Sequence, residues 1–316
     1  MRVSLVIPVY NGARTVRPLV ERLRKELAER HDLEIVLVND GSEDDSAAVC
    51  RELARTDPHV RFVNLARNFG EHNAVMAGLR FAGGECAVIL DDDFQNPPSE
   101  VTKLVEKLAE GFDVVFARYE KKRHAWFRNL GSRFNNAVAS VMLGKPRDLY
   151  LSSFKALNRF VIDEITRYTG PYPYVDGLVL RATRSWATVL VRHDPRAEGP
   201  SNYTLGRLVR LWLNMFTNFS ILPLRVASLA GLVFALLGLV LAGGFVVEKL
   251  RDPELPAGWA SLAVIVLTIS GVQLFALGMI GEYLGRLFLQ DNGTPIFVVR
   301  ETLNCGEPPD ARPPGR

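Results

Sequence analysis

The chain has 316 residues, of which 48% are hydrophobic and 23% charged, and its formal net charge at pH 7 is +3. Such a small net charge gives no reason to expect a nucleic-acid partner. The three cysteines, Cys50, Cys86 and Cys305, are far apart in the sequence, which argues against a disulfide framework or a zinc site. We interpret them as reduced thiols in a cytosolic setting.

The N-terminal part alternates short apolar runs with segments of helical periodicity. Strands are predicted at Val3–Val9, Leu33–Val38, Val60–Leu65, Cys86–Leu90 and Asp113–Ala117. Helices are predicted around Val16–Leu27, at Ala47–Ala54 and Ala74–Phe81, and after Ser99, which can cap a helix. This order predicts an α/β domain with a mostly parallel sheet and helices on both faces.

Polar clusters follow three of these predicted strands. They are Tyr10-Asn11-Gly12, Asn39-Asp40-Gly41-Ser42 and Asp91-Asp92-Asp93. In open parallel sheets, ligands bind beyond the carboxyl ends of the strands. One polar loop would mean little, but three of them predict a binding site at this edge of the sheet.

The triplet Asp91-Asp92-Asp93 places three like charges side by side, which is costly without a cation. In an extended segment Asp91 and Asp93 point to one side, Gln95 continues that side, and Asp92 faces the other way, toward a sugar or base. Hard oxygen ligands at this spacing suit Mg²⁺ or Mn²⁺. A solvated acidic turn or a helix-capping cluster is the other interpretation.

The C-terminal part contains two long apolar runs. Val226–Val247 carries no charge, and 22 helical residues rise about 33 Å, enough to cross a bilayer core. A second run, Trp259–Ile280, follows the polar link Glu248–Gly258. A buried hairpin of soluble helices is the alternative, but we predict two membrane spans. Their small residues Gly231, Gly238, Gly243, Gly271, Gly278 and Gly281 permit close helix packing and a homo-oligomer.

The predicted orientation follows from basic residues. Arg207, Arg210 and Arg225 precede the first run and Arg286 and Arg300 follow the second, whereas Lys249 and Arg251 lie in the link. The positive-inside rule then places both ends in the cytoplasm. The apolar stretch Val3–Ile7 is too short for a signal peptide. We therefore expect a multi-pass protein of the cytoplasmic (inner) membrane.

Two further segments point to a membrane surface. Residues 205–221 have apolar side chains at helical spacing with Arg207 and Arg210 on another side, which predicts an interfacial helix or, alternatively, a core helix. Lys121, Lys122, Arg123, Arg128 and Arg133 form either a solvated basic face or a patch that captures an anionic headgroup. The predicted domains are residues 1–203 (the α/β domain, on the cytoplasmic side), 204–222 (interfacial helix), 223–288 (transmembrane hairpin) and 289–316 (cytoplasmic tail).

Four segments together carry a family resemblance. They are Ile7-Pro8-Val9-Tyr10-Asn11, Asn39-Asp40-Gly41-Ser42, Arg67-Asn68-Phe69-Gly70 and Asp91-Asp92-Asp93-Phe94-Gln95-Asn96-Pro97-Pro98. In this order they resemble the GT-A glycosyltransferases of family 2. The Gln-Asn-Pro-Pro ending and the two apolar runs are similar to the polyprenyl-phosphate branch, which includes dolichyl-phosphate mannose synthases and undecaprenyl-phosphate glycosyltransferases. The resemblance extends to about Phe297.

The resemblance implies inverting transfer of a sugar from a nucleotide-diphosphate sugar to a polyprenyl phosphate, undecaprenyl phosphate in particular. It assigns nucleotide-sugar binding to Pro8, Tyr10, Asp40 and Arg118, and we add Asn11, Gly70 and Asp92 as further candidates for this site. It assigns catalysis to Asp91, Asp93 and Asp148, and the Mg²⁺ or Mn²⁺ site to Asp91, Asp93 and Gln95. It assigns binding of the acceptor phosphate to Arg133 and Arg196, and we add Arg128 and Ser201 as further candidates. A membrane-anchored nucleotide-sugar-binding protein with little turnover, or a family 2 transferase with a non-prenyl acceptor, are the alternatives.

The sequence departs from the family pattern at three positions. Gly12 stands where many members have Glu, and Asp92 stands where Ala is common. Asn202 stands where the branch usually has Lys. The third departure implies that acceptor or diphosphate binding depends more on the arginines.

Overall fold

A computed structural model describes residues 1–119, 149–192, 194, 222–251 and 258–306. The chain divides into two compact units. The first comprises Met1–Tyr203 together with Gly293–Arg316, and the second comprises Thr204–Asn292. The C-terminal segment therefore belongs to the same unit as the N-terminal domain.

The described part of the first unit is built on one eight-stranded sheet. Its strands are β1 (Arg2–Val9), β2 (Asp32–Asn39), β3 (Val60–Leu65), β4 (Cys86–Ile89), β5 (Val114–Tyr119), β6 (Lys155–Asn158), β7 (Trp186–Val191) and β8 (Val299–Leu303). Their order is β7-β5-β6-β4-β1-β2-β3-β8. Only β6 and β8 run antiparallel to their neighbours, while the other pairs are parallel. The predicted mostly parallel sheet is confirmed.

Helices cover both faces of this sheet. They are α1 (Val16–Leu27), α2 (Ser46–Thr56), α3 (Glu71–Phe81), α4 (Ser99–Ala109), α5 (Arg159–Thr166) and α6 (Val175–Ala182). The residues of α1 that recur at helical spacing are all buried, and they pack with α2, α4 and the odd-numbered residues of β1. On the other face, Gly78 of α3 lies so close to the sheet that a Cβ there would come within 2.5 Å of Val6.

Two predicted details of the elements differ in the structure. Ser99 is the first residue of α4, and Pro98 occupies the N-cap position, so the expected cap by Ser99 is wrong. The strands β6 and β7 and the helices α5 and α6 were not predicted from the sequence. Because β6 is only four residues long and enters the sheet antiparallel, the simple strand–helix alternation gives no sign of it.

The segment expected to be a C-terminal tail contains β8, which pairs antiparallel with β3 at the edge of the sheet. The guanidinium of Arg51 in α2 donates two hydrogen bonds, of 2.9 and 2.7 Å, to the carboxylate of Glu301. The side-chain amide of Asn304 donates to the carbonyl oxygens of Ala54, Asp57 and Val60. Side chains as well as the strand ladder therefore fasten this segment.

The second unit contains the helices α7 (Leu222–Arg251) and α8 (Trp259–Asp291), which pack against each other. Both are longer than the predicted apolar runs. Among the described residues, Ile269–Asp291 is long and apolar enough to cross a membrane, with mean hydropathy 1.3, whereas the apolar stretch Ala227–Gly238 of α7 is shorter. The prediction of two membrane spans is thus supported for one helix. The interfacial helix predicted at residues 204–222 lies almost wholly outside the described residues.

We expect the replacement Asn304→Ala to lower the free energy of unfolding by about 1 kcal/mol, since three backbone carbonyls lose their donor and Ala tolerates the positive φ of 56° at this position poorly. Thermal or urea unfolding of the detergent-solubilised protein measures the change. Thr302→Ala, an exposed change on the strand β8 that precedes Asn304, is the control. Equal stability of the two variants would contradict the fastening role of Asn304.

Candidate active site

The loops that follow β1 and β2 are joined by hydrogen bonds at the carboxyl edge of the sheet. The backbone N–H of Asn11 donates to Ser42 Oγ (3.0 Å), and Asn11 Oδ1 accepts from the backbone N–H of Glu43 (2.9 Å). The next residue, Gly12, donates its N–H to Ser46 Oγ (2.8 Å). Asn11 has a positive φ of 55°, which asparagine tolerates better than most residues. Two of the predicted polar clusters therefore form one surface.

Asp40 connects this surface to the loop between β3 and α3. Its two carboxylate oxygens accept hydrogen bonds from the backbone N–H groups of Phe69 (2.7 Å) and Gly70 (2.9 Å). Burial raises the pKa of Asp40, and these two hydrogen bonds oppose the rise. The neighbouring Gly41 has φ +62°, and a Cβ there would lie 2.8 Å from Arg67 Cα and overlap other backbone atoms of that loop. Only glycine permits this approach.

The acidic triplet begins directly after β4 and does not continue the strand. Residues 92–96 turn, and Phe94 has a positive φ of 60°. Asp93 Oδ1 accepts a hydrogen bond from the backbone N–H of Gln95 (3.0 Å), as in an Asx turn. The expectation of an extended segment from Asp91 to Gln95 is therefore wrong. The carbonyl oxygen of Gln95 accepts from the backbone N–H of Asp194 (2.9 Å).

Asp91 is strongly affected by burial and by neighbouring charges. Ser153 Oγ donates a hydrogen bond to Asp91 Oδ2 (2.8 Å). Removal from water, followed by the charge of Glu71, raises the pKa of Asp91 to about 7, and the charge of Asp93 adds to the rise. This hydrogen bond and the charge of Lys155 oppose the rise without cancelling it. Negative charge is therefore in excess around Asp91.

A divalent cation fits this excess of negative charge. Within the part of the chain that the structure describes, no group of three or more His, Cys, Asp and Glu side chains is arranged to hold a metal ion. Asp91 and Asp93 thus offer two carboxylates, with Gln95 as a neutral oxygen donor beside them. Mg²⁺ commonly binds proteins through one or two carboxylates and fills its other positions with water and phosphate oxygens. The donor set suits an ion that is bound together with a diphosphate.

Four residues of this region were missed by the sequence reasoning: Glu71, Ser153, Lys155 and Asp176. Lys155 of β6 and Asp176 of α6 form a buried ion pair. Burial raises the pKa of Glu71. The charge of Lys155 opposes the rise, and the charges of Asp176, Asp40 and Asp93 add to it. The sequence signal was a single charge inside an apolar element, as in Phe154-Lys155-Ala156 and Val175-Asp176-Gly177.

Asp92 points toward the β1–α1 loop. A Cβ placed on Gly12 would overlap Asp92 Oδ2 and lie 3.1 Å from Asp92 Cγ. The carboxylate of Asp92 thus fills the position that a side chain at residue 12 would take. Two positions that depart from the family pattern are in direct contact.

Three further residues were predicted for the nucleotide-sugar site: Pro8, Tyr10 and Arg118. Pro8 is half-buried within β1, opposite Val38 of β2. The ring of Tyr10 follows β1 and is 39% exposed. Arg118 lies exposed on β5, which β6 separates from β4. Hydrogen bonds and close contacts connect the loops of Asn11, Asp40 and Gly70 and the Asp91–Asp93 turn. The side chains of Pro8, Tyr10 and Arg118 take no part in the contacts described above.

Several predicted site residues lie outside the described residues. They are the catalytic candidate Asp148 and the acceptor-phosphate candidates Arg128, Arg133, Arg196 and Ser201. Asn202, the third departure from the family pattern, belongs to the same group. Their assignments remain predictions from the sequence.

Comparison with known proteins gives two family matches. Residues 4–166 match the model described as glycosyl transferase family 2, and residues 222–287 match the model described as the GtrB C-terminal hairpin. The first match contains the three strand-end loops and the acidic turn. The second corresponds to α7 and most of α8.

Similar proteins cover nearly the whole chain. An uncharacterized glycosyltransferase of Bacillus subtilis (strain 168) is 33% identical over 95% of this chain and 93% of its own length. The undecaprenyl-phosphate 4-deoxy-4-formamido-L-arabinose transferase of Proteus mirabilis (strain HI4320) is 33% identical over 97% of this chain and 95% of its own. The protein of the same name from Sodalis glossinidius (strain morsitans) is 35% identical over 95% and 93%.

Among solved structures, glucosyl-3-phosphoglycerate synthase of Mycobacterium tuberculosis, in complex with Mn²⁺, uridine diphosphate and phosphoglyceric acid, has a TM-score of 0.50 and 20% identity. The similarity covers 68% of this chain and 76% of that one. At this level of identity it shows the fold alone, a GT-A-like α/β arrangement. The chain belongs to glycosyl transferase family 2 and carries the C-terminal hairpin of the GtrB type.

Proposed function

We propose that this glycosyltransferase moves a sugar, with inversion, from a nucleotide-diphosphate sugar to a polyprenyl phosphate, with undecaprenyl phosphate as the expected acceptor. One observation carries the proposal. The Asp91–Asp93 turn lies at the edge of the sheet where Asp40 and Asn11 tie the neighbouring loops together. The acceptor is inferred from relatives that share about a third of the sequence over nearly the full chain and are named undecaprenyl-phosphate transferases.

The donor end of the site is assigned as follows. Asp40 orders the Phe69–Gly70 backbone, and together with Pro8, Tyr10 and Asn11 it forms the place for base and ribose. Arg118, which is exposed on β5, is assigned to the phosphates. Because polar side chains and backbone groups of three successive loops meet here, the site matches the place where parallel sheets bind nucleotides.

Asp91 and Asp93, assisted by Gln95, would hold Mg²⁺ or Mn²⁺. When bound, the ion neutralises charge that develops on the departing diphosphate. Ser153 orients Asp91 through its 2.8 Å hydrogen bond, and the turn at Phe94 fixes the direction of Asp93. The residues of the chain therefore prepare a diphosphate site before the donor arrives.

The acceptor side needs little proton chemistry. A phosphate monoester has a second pKa of about 6, so a lipid phosphate is mostly dianionic at neutral pH and already nucleophilic. Its attack on the anomeric carbon from the face opposite the diphosphate inverts the configuration. Arg128, Arg133, Arg196 and Ser201 are proposed to bind this phosphate, and Asp148 to orient a sugar hydroxyl or the acceptor. Arginine suits the first task because its fork donates paired hydrogen bonds to phosphate.

The membrane arrangement belongs to the same proposal. We assign residues 1–203 to the catalytic domain, 204–222 to an interfacial helix, 223–288 to a hairpin of two membrane spans, and 289–316 to a cytoplasmic segment that includes β8. The match of residues 222–287 to the hairpin model and the apolar stretch Ile269–Asp291 support it. Both ends of the chain face the cytoplasm at the inner membrane, and association into a homo-oligomer is compatible with the glycines of the hairpin.

A binding protein without turnover is not favoured. The similarity to proteins named as transferases covers nearly the whole chain. A family 2 transferase with a non-prenyl acceptor is distinguished by the acceptor experiment that follows.

Purified protein is expected to transfer radiolabelled sugar from one member of a panel of UDP- and GDP-linked sugars to undecaprenyl phosphate in the presence of Mn²⁺. The product would partition with lipid and would not form when the acceptor is replaced by undecaprenol, which lacks the phosphate. Transfer to water-soluble acceptors but not to the lipid phosphate would contradict the proposed acceptor.

Asp93→Asn is expected to lower kcat/KM by roughly 100-fold or more, because it removes one of the two charged oxygen ligands that neutralise the diphosphate. Chelation with EDTA should abolish activity of the unchanged protein, and added Mn²⁺ or Mg²⁺ should restore it. Asp163→Asn, which alters a surface ion pair with Arg159, is the matched control and should retain activity. Full activity of Asp93→Asn would remove the metal hypothesis.

Ser153→Ala is expected to raise the Mn²⁺ concentration for half-maximal activity about 10-fold, since residues that orient a metal ligand typically contribute 10- to 100-fold to metal affinity. Ser153→Thr retains a hydroxyl and should stay near the unchanged protein. A titration of activity against Mn²⁺ separates the two variants. If both variants respond to Mn²⁺ alike, the hydrogen bond to Asp91 has no such role.

A further inference from the structure

Gly12 is a glycine for a steric reason. Its φ lies outside the positive range that favours glycine, so its backbone conformation is open to other residues. The space in front of its Cα is occupied instead. A Cβ there would overlap Asp92 Oδ2 and would lie 3.1 Å from both Asp92 Cγ and Thr15 Oγ1. Because residue 12 has no side chain, the carboxylate of Asp92 can occupy this space.

Gly12 is also the point where the β1–α1 loop is fixed. Its carbonyl oxygen accepts hydrogen bonds from the backbone N–H groups of Thr15 and Val16, both 3.0 Å, and from Thr15 Oγ1 at 3.1 Å, which starts α1. Its N–H donates to Ser46 Oγ at the start of α2. A displacement of Gly12 would therefore move Tyr10 and Asn11, the two residues before it in the proposed nucleotide site.

Asp92 reaches this point from the turn that carries the proposed metal ligands. It lies between Asp91 and Asp93, yet its side chain is directed at the β1–α1 loop. The carboxylates of Asp92 and Asp44 add to burial in raising the pKa of the Cys50 thiol to about 12, which agrees with an inward direction of Asp92 toward α2. Asp92 thus connects the diphosphate end of the site with the base and ribose end.

We propose that Asp92 is a positioning residue that sets the β1–α1 loop for the nucleotide of the donor, and that Gly12 is its matched partner. This inference rests on the proposed function, because it concerns how the same donor site is built. It differs from direct contact with a sugar or base, the role first expected for Asp92. A side chain can be introduced at residue 12 only if the carboxylate of Asp92 is removed, since that carboxylate occupies the space in front of the Gly12 Cα.

A double-mutant cycle tests the pairing. The variants are Gly12→Ala, Asp92→Ala, the double variant Gly12→Ala/Asp92→Ala, and Gly12→Asp/Asp92→Ala, which moves the carboxylate to the other loop. Binding of UDP and GDP in the presence of Mn²⁺ is measured by calorimetry on the detergent-solubilised full chain, together with the melting temperature, KM for the donor and kcat.

We expect Gly12→Ala to weaken nucleotide binding at least 10-fold and to raise KM for the donor more than it lowers kcat. Removing the carboxylate as well should recover binding to within about 3-fold of Asp92→Ala alone, because the overlap is gone. Gly12→Asp/Asp92→Ala should bind more tightly than Asp92→Ala. Gly78→Ala, which creates a similar overlap with Val6 and Val38 within the sheet core, is the control and should lower the melting temperature without this selective loss of nucleotide affinity.

The outcomes separate the two proposals. If the unchanged protein binds nucleotide and Gly12→Ala binds equally well, or if the effects of the two single changes simply add, the positioning role is overturned while the proposed function stands. If the unchanged protein binds neither UDP nor GDP, the proposed function fails, and the positioning role fails with it.

Discussion

Like-charged carboxylates that a parallel sheet brings to one edge repel one another, and the rest of this site is arranged around that repulsion. Asp91 and Asp93 follow β4, and Glu71 begins α3. Unfavourable electrostatic interactions connect the three carboxylates. The buried Lys155 opposes part of this charge but is itself paired with Asp176. A bound divalent ion would compensate the remaining negative charge. The repulsion that destabilises the metal-free site would therefore favour metal binding.

Apolar runs and helical spacing were sufficient to predict β1 to β5, α1 to α4 and the mostly parallel sheet, because burial leaves a strong pattern in the sequence. β6, β7 and β8 escaped prediction because short strands that join a sheet from distant parts of the chain have no local signal. The strand-end clusters predicted correctly that the loops after β1 and β2 meet, and the binding site placed there stays a prediction. The turn at Phe94 and the approach of Lys155 to the acidic residues depend on tertiary contacts, which spacing alone does not encode.

Gly12 and Asp92 are two departures from the family sequence pattern that the structure shows to be in contact. In the sequence they are 80 positions apart and look like two independent changes. In the structure the carboxylate of one occupies the space that the other leaves, so they count as one change. Substitutions in this loop are therefore best judged in spatial pairs.

The return of the chain to the sheet as β8 makes the apolar hairpin an insertion within the catalytic unit and not an appendage at its end. Truncation after residue 203 would remove β8 from the outer side of β3 and leave a row of unpaired backbone donors and acceptors, the kind of edge through which sheets aggregate. A water-soluble version of this enzyme therefore calls for excision of the hairpin and a short linker that rejoins residues 293–306 to the remainder.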